Sequence, residues 1–353
     1  MDLSTGPLCD EADPCRPRTR GDAAGREPLR RGSGRAVHRE PLRRGSAERG
    51  VEKGASAVTR GPEGAAALPS AGGTGASGPG GSGGRREAAG YVHGYTAHEA
   101  RRLDDQAQTL AGLLHAGTAY PDGSRVLEIG CGVGAQTRHL VAAGPGARYV
   151  CVDRSPESLE TARRRLAPSG ADLTWQCADA RQLPYEEGEF DHAFVCFLLE
   201  HLPDPERALA EARRVLRPGG TLTVIEGDHG SAFHHPPSRY AQRAIDCLVR
   251  LQAVDGGDGL IGRALRPLLA RAGFADIEVA PRTVYVDAGR PHLFDSFTRQ
   301  TFTAMIEGVG DRAVAAGLMS RADWERAVAD LLRTAGPDGT FHYTFFKAVA
   351  RRP

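Results

Sequence analysis

The residues with the clearest chemical potential lie between Glu128 and Phe197. A short apolar run, Arg125-Val126-Leu127-Glu128-Ile129, leads into Gly130-Cys131-Gly132-Val133-Gly134 and then into a helix-like segment. A glycine turn between a strand and a helix lets a ligand approach the backbone closely and meet the positive helix N-terminus. Two ligand chemistries compete for this loop. The pattern G-x-G-x-x-G/A, closed nominally by Ala135, suits a dinucleotide. The acid Glu128, two residues before the first glycine, suits a ligand with a positive group and repels a pyrophosphate. S-adenosylmethionine, with a sulfonium, an ammonium and no phosphate, fits the second reading.

The elements that must position these residues alternate. Thr96-Ala97-His98-Glu99 is a capping-box pattern that opens a helix over about 96–116, with Leu103, Ala107, Leu110 and Leu114 at helical spacing. The strand at 125–129 follows, and the helix after the glycine loop ends near Gly144-Pro145. Further strands are expected at Tyr149–Asp153, Leu173–Cys177, Phe190–Cys196 and Thr221–Ile225. Ser155 as N-cap with Pro156 starts one helix, and Asp204-Pro205 opens another that Pro218-Gly219-Gly220 stops. The last two strands fall at about 276–286 and 341–350. This alternation specifies a doubly wound α/β sheet.

Residues 1–89 contain no Phe, Tyr, Trp or Ile and are rich in Gly, Ala, Arg, Pro and Ser. So little apolar surface cannot offset the entropy of ordering, and the stretch reads as a disordered tail. The octapeptide Arg-Glu-Pro-Leu-Arg-Arg-Gly-Ser occurs at 26–33 and again at 39–46, a kinase-site or anion-binding pattern within a solvated arm. The next Met after Met1 is Met305, so a shorter natural product would need a non-AUG start. The tail holds 15 basic and 11 acidic residues, which leaves 30 and 33 in residues 90–353. A mildly acidic folded part speaks against a nucleic-acid partner. The longest apolar run, around Phe194–Leu199, falls far short of the about 20 residues a membrane span needs. Seven scattered cysteines with no C-x-x-C pair argue against a disulfide framework and fit a cytoplasmic protein.

The span from Val126 to Ile225 resembles the class I S-adenosylmethionine-dependent methyltransferases, in their ubiquinone/menaquinone-type small-molecule branch. The matching pieces are Val126–Gly134, Val152-Asp153, Ala178-Asp179-Ala180, Phe190-Asp191, Glu200-His201-Leu202 and Val215-Leu216-Arg217-Pro218-Gly219-Gly220. The resemblance implies a seven-stranded, mostly parallel Rossmann-like sheet in residues 90–353, with a core at 122–228. It implies S-adenosyl-L-methionine as cofactor, with Gly130, Cys131 and Gly132 under its methionine part. Glu128 would support the loop and the amino group, and Asp153 would accept both ribose hydroxyls. Asp179 would take the adenine amino group, and the Ala180 backbone would read a ring nitrogen. Cys196 and Phe197 would line the methyl end, with Gln136 and Arg154 also expected at the cofactor. Cys131 reads as a small loop filler and Trp175 as core or adenine-side packing.

The acceptor side is less defined. Methyl transfer needs alignment and a base, for which His201, His229 and Asp228 are the candidates. Asp228, His229, His234 and His235 lack regular metal-ligand spacing, so no metal is expected. Three segments could cover the open edge. The first is Tyr91–Tyr95 with its helix, where Arg101, Arg102 or Gln106 could meet the cofactor carboxylate. The second is Glu226–Ser231, running on to Pro237. The third is a helical cap at about 288–340 bearing Phe294, Phe297, Phe302, Met305 and Ile306. Val195-Cys196-Phe197-Leu198 stands where relatives acting on planar amino groups carry Asn/Asp-Pro-Pro-Tyr/Phe. A small organic acceptor is therefore expected, its O, N or C atom undecided and the oligomeric state unread. An NAD(P)-dependent oxidoreductase and a non-catalytic S-adenosylmethionine-binding module stand as alternatives.

Overall fold

The computed structural model describes residues 97–353, with side chains from residue 105 onward. The expectations for residues 1–89, Tyr91–Tyr95, the Thr96 cap, Arg101 and Arg102 lie outside the described residues. Helix α1 spans Ala97–Leu114 and buries Gln106, Ala107, Leu110 and Leu114, one face at three- and four-residue spacing. Strand β1 is Arg125–Ile129 and leads through the glycine loop to α2, Thr137–Ala143. Strand β2, Arg148–Asp153, and α3, Pro156–Leu166, follow. The Ser155 hydroxyl accepts the Ser158 N–H at 3.1 Å while Pro156 occupies the first turn, as expected of that pair. Strands β3, Leu173–Cys177, and β4, Phe190–Cys196, match their expected bounds. Asp204 caps α4, Pro205–Val215, by accepting the Arg207 N–H at 3.0 Å.

Strand β5 corrects the sequence reading twice. It runs Leu216–His235, so Pro218-Gly219-Gly220 lies within the strand span, and α4 ends at Val215. The segment Glu226–His235, expected to cover the open edge, is instead part of the sheet. The reason is a long antiparallel ladder with β7, Thr340–Arg351, which satisfies its backbone through Glu226↔Phe346 and Asp228↔Thr344 and again through Phe233↔His342 and His235↔Thr340. Between Asp228 and Phe233 the register shifts, and residues 229–232 bulge.

After β5 come α5, Arg239–Val254, α6, Leu265–Arg271, and β6, Ala275–Asp287. A single turn, α7 (Pro291–Leu293), leads into a π-helix at Phe294–Thr303. Helices α8, Ala304–Ala315, and α9, Arg321–Leu332, precede β7. The sheet has seven strands in the order β3-β2-β1-β4-β5-β7-β6, with β1 to β5 parallel and β7 antiparallel to both its neighbours. The strand order reverses between β1 and β4, so the carboxyl tips of β1, β2 and β4 border one crevice, the place where such sheets hold ligands.

Strand residues alternate between two cores. Ala193 and Val195 join the core under α4 and α6, while Phe194 and Cys196 join the one shared with α1, α5, α8 and α9. Phe297, Phe302, Ile306, Trp324 and Leu331 are buried in that second core with Phe341, Tyr343 and Phe345 of β7. Among the described residues no helix is long and apolar enough to cross a membrane.

Candidate functional site

The glycine loop is shaped by what it must avoid. Gly130 and Gly132 hold φ of +78° and +51°, a region that side chains disfavour. A Cβ on Gly130 would press the Leu198 side chain at 2.9–3.2 Å, whereas one on Gly132 would meet nothing within 4 Å. The first glycine is required by packing. The second borders open space at the crevice.

Asp153 closes that space from the tip of β2. Its Oδ2 accepts the Gly132 N–H at 2.8 Å and its Oδ1 accepts the Ser155 N–H at 2.9 Å. Each carboxylate oxygen keeps a second lone pair for a ligand hydroxyl. Burial pushes this carboxyl above its ordinary value, and the two amides oppose the shift. Glu128 is more deeply placed. It is 2% exposed, and its Oε2 accepts the Thr137 hydroxyl at 2.6 Å. Burial raises its pKa to about 7. Glu128 therefore fastens the first turn of α2 beneath the loop. Cys131 is buried, and burial raises its thiol well above the usual range, in keeping with a loop filler.

Gln136 lies just before α2, and its Oε1 pairs with Nε2 of His115 at 2.7 Å. His115 stacks on Phe194 at 5.5 Å, and burial holds its pKa below the ordinary imidazole value. Gln106, on α1, is buried at 6% exposure. Asp179 sits beyond β3, paired in two-pronged fashion with Arg181 (Nη2 to Oδ2 2.6 Å, Nε to Oδ1 3.0 Å). That pairing, first among its influences, pulls the Asp179 carboxyl below the ordinary range. Ala180 is buried beside it, and Arg154 is exposed next to Asp153. Trp175 is half-buried on β3 and packs against the α1-side core.

At the tip of β4, Cys196 is buried and Phe197 turns the chain with φ +54°, an uncommon strain for an aromatic residue. The Phe197 ring lies 5.4 Å from Phe345. One turn later Glu200 stands between two of the expected bases. Its Oε1 is 3.4 Å from Nε2 of His201, and its Oε2 is 3.8 Å from Nε2 of His229. Nδ1 of His229 lies 2.9 Å from the Tyr343 hydroxyl. Glu226 supports this turn from β5, its Oε1 accepting the N–H groups of Leu198 and Leu199 at 3.1 and 2.8 Å.

Asp228 is set apart from this group. Its carboxylate receives Nε and Nη2 of Arg263 at 2.8 and 2.7 Å and the Gly230 N–H at 3.0 Å. A carboxylate so occupied anchors the turn at Ile261–Ala264, and we give it no part in proton transfer. His234 and His235 lie on β5 past the bulge. Among the described residues, no group of three or more His, Cys, Asp or Glu that could hold a metal is present.

Sequence reasoning passed over Glu200 as a chemical group, although it precedes His201 inside a motif already singled out. It missed Tyr343 entirely, because a tyrosine in an alternating strand reads as core. It also missed Lys347, which reaches from β7 to the Ala116 carbonyl at 2.9 Å and to the Thr118 hydroxyl, tying the last strand to the link after α1.

The "Methyltransferase domain" family matches residues 127–224. An uncharacterized 37.1 kDa protein in transposon Tn4556 of Streptomyces fradiae is 36% identical over 67% of this chain, which spans 63% of that protein. The ubiquinone/menaquinone biosynthesis C-methyltransferase UbiE of Paracoccus denitrificans is 34% identical over 40% of this chain and 60% of its own length. The chain thus spans less than two thirds of each of these two relatives. The demethylmenaquinone methyltransferase of Thermus thermophilus is 38% identical over 43% of this chain and 74% of its own length. With that identity over most of the Thermus protein, joined to the strand order and the glycine loop, the chain belongs to the class I S-adenosylmethionine-dependent methyltransferases, in the branch of the ubiquinone/menaquinone-biosynthesis enzymes.

Proposed function

We propose that this protein transfers a methyl group from S-adenosylmethionine to a small organic molecule, with a base taking up the acceptor's proton. The observation that carries the reading is the Asp153 carboxylate beside Gly132. It is half-buried, it is oriented by two backbone amides, and it faces a loop position where an added Cβ would meet no neighbour. Two spare acceptor lone pairs on a fixed carboxylate suit a pair of vicinal hydroxyls and offer a phosphate only repulsion. In this reading Gly130, Cys131 and Gly132 hold the methionine part, with Glu128 and Gln136 fixing the loop and the start of α2. Asp153 holds the ribose with Arg154 alongside. Asp179 and the Ala180 backbone hold the adenine, and Cys196 and Phe197 flank the methyl end. When bound, the cofactor supplies an electrophilic methyl group on a sulfonium.

The chain's own residues do the rest. The apolar groups of the 288–340 region exclude water and serve as the acceptor cap. Glu200, with His201 and His229 on either side, provides the proton-handling centre. A small-molecule acceptor, no nucleic-acid partner and a cytoplasmic location complete the proposal.

Calorimetric titration of the full-length chain with S-adenosylhomocysteine, beside NADH, tests it. Micromolar binding of the first alone is expected, followed by a gain of one methyl mass in a screen of phenol, hydroquinone, amine and enol acceptors. Binding of NADH alone would overturn the proposal in favour of a redox enzyme. Cofactor binding with no methylated product from any acceptor class would favour a non-catalytic module.

A further inference from the structure

The groups that could move a proton lie in a line. Glu200 stands at one end, His229 in the middle and the Tyr343 hydroxyl at the other, with separations of 3.8 and 2.9 Å. Tyr343 is at the centre of a ring cluster. Phe345 lies 4.7 Å from it, Phe302 5.5 Å and Phe297 5.7 Å. Phe345 in turn meets Phe197, which follows Cys196 at the tip of β4. The line therefore runs from a buried carboxylate to a phenol whose hydroxyl lies against the β5 backbone at Gly227 and whose ring belongs to an apolar cluster that reaches Phe197, beside the proposed methyl end.

We infer that Glu200, His229 and Tyr343 form a proton relay facing the acceptor, with the Tyr343 oxygen taking the proton from an O–H or enol group on a flat, apolar molecule. This rests on the methyl-transfer reading.

Taking a carboxylate, an imidazole and a phenol away from water costs desolvation energy that their mutual contacts return only in part, and such clusters recur at functional sites. Tyr343 is 2% exposed and His229 is 4% exposed, and Glu200 is buried behind them. Burial, then the nearby acids Glu200 and Asp228, push the Tyr343 phenol well above its ordinary pKa, so it passes a proton on and does not keep the charge. The covering element supplies an independent observation. Phe297 and Phe302 belong to the π-helix, whose looser turns recur at functional sites. Beside them on that helix Thr298 and Thr303 are fully buried, and neither hydroxyl has a partner. Buried hydroxyls without partners are uncommon in a finished core and recur where a ligand completes the site.

The step balances as follows. A lone pair of the acceptor oxygen forms the new bond to the methyl carbon. The sulfur–methyl bond breaks, and its electron pair stays on sulfur. The acceptor's proton passes to the Tyr343 oxygen as the phenol's own proton passes to Nδ1 of His229. The imidazolium so formed is stabilised by Glu200. Around His229 stand Glu200 at 3.8 Å, the Tyr343 hydroxyl at 2.9 Å and the Phe302 ring at 6.4 Å, with Asp228 as its chain neighbour and Gln252 of α5 sharing the Gly259 side. Asp228 is already neutralised by Arg263. Entry requires Phe297 and Phe302 to move aside, since the rings leave Tyr343 closed off.

The test uses 4-nitrophenol, whose visible absorbance reports its ionisation, with the full-length chain saturated with S-adenosylhomocysteine. Binding of S-adenosylhomocysteine is measured first, and its absence would fell the methyl-transfer reading itself. Given that binding, the expected result is saturable uptake of the phenol, ionised at least about one pH unit below the free probe. Tyr343→Phe and His229→Gln should abolish that displacement, and Glu200→Gln should reduce it. No saturable binding, or a displacement that survives Tyr343→Phe, overturns the relay. Should a variant lose S-adenosylhomocysteine affinity, the nitrogen-15 spectrum of His229 in the unmutated chain decides. A proton on Nε2 facing Glu200 supports the relay, and a proton on Nδ1 overturns it.

Discussion

The two halves of the proposed site are built on different principles. The proposed cofactor half is made by backbone at the tips of β1 and β2. Its defining bond joins Gly132 to Asp153, 21 positions apart, across neighbouring strands. The proposed acceptor half is made by side chains from distant parts of the chain. Its defining bond joins His229 to Tyr343, 114 positions apart. A site made by backbone and short spacing tolerates change in its surroundings. A site made by packed rings depends on every element that brings them together.

That contrast can be strained first at Phe302. It is fully buried among Phe341, Tyr343 and His229. Phe302→Ala should cost about 3–5 kcal/mol of stability in urea unfolding. Below the transition, S-adenosylhomocysteine affinity should stay within threefold. A large loss of affinity would mean that the halves are not separable.

Asp153→Ala attacks the other half. It removes two prospective charge-assisted hydrogen bonds and frees the Gly132 and Ser155 amides. Calorimetry should read a loss of about 100-fold in S-adenosylhomocysteine affinity, on the order of 3 kcal/mol. Unchanged affinity would remove the cofactor assignment from this carboxylate.

Glu128 sharpens the comparison through pH. Its folded pKa of about 7 lies above the ordinary 4.5, so the folded state binds the extra proton between those values. Stability from this group is present below about pH 4.5 and is lost as pH rises to about 7. Glu128→Gln escapes that loss while its amide oxygen still accepts from Thr137. The variant should gain on the unmutated chain across that window, by at most roughly 3 kcal/mol, in urea midpoints taken from pH 5 to 8. A constant difference would show that Glu128 is not destabilised by its burial.

The smallest effect is expected at Gly132. Gly132→Ala places a Cβ in open space but at φ +51°. Stability should fall by only about 1 kcal/mol. Cofactor affinity should fall more steeply, because the new methyl group enters the crevice. Equal loss of both would place the ligand elsewhere.

Much of the cofactor half was legible because its signals are local. Strands 125–129, 173–177 and 190–196 were read to the residue from apolar runs bounded by turns. The caps at Ser155 and Asp204 were read from their prolines. The Asp179–Arg181 pair was not, since adjacency in sequence does not say whether two charges face each other. The acceptor half resisted for a physical reason. The sequence reading ends β5 at Ile225, because the strand that prolongs it by pairing lies more than a hundred residues downstream. The phenylalanines of 294–302 satisfy ordinary helical spacing, so nothing distinguished a π-helix. Asp228 reads as a candidate base because nothing in the sequence links it to its partner, Arg263, 35 positions away.

The position of β7 has a consequence for how this protein is made. Strand β7, which follows the other six described strands in the chain, is inserted between β5 and β6 and is the neighbour of both. Until Thr340–Arg351 has been made, β5 lacks its antiparallel neighbour, β6 lacks its strand partner, and Tyr343 and Phe345 are missing from the ring cluster. The elements of the proposed cofactor half all precede β7 in the chain, whereas the proposed acceptor half is incomplete until β7 is added. A nonsense codon between Asp287 and Thr340 therefore leaves β5 without its antiparallel neighbour and β6 without its strand partner, a substrate for quality control and not a shortened enzyme.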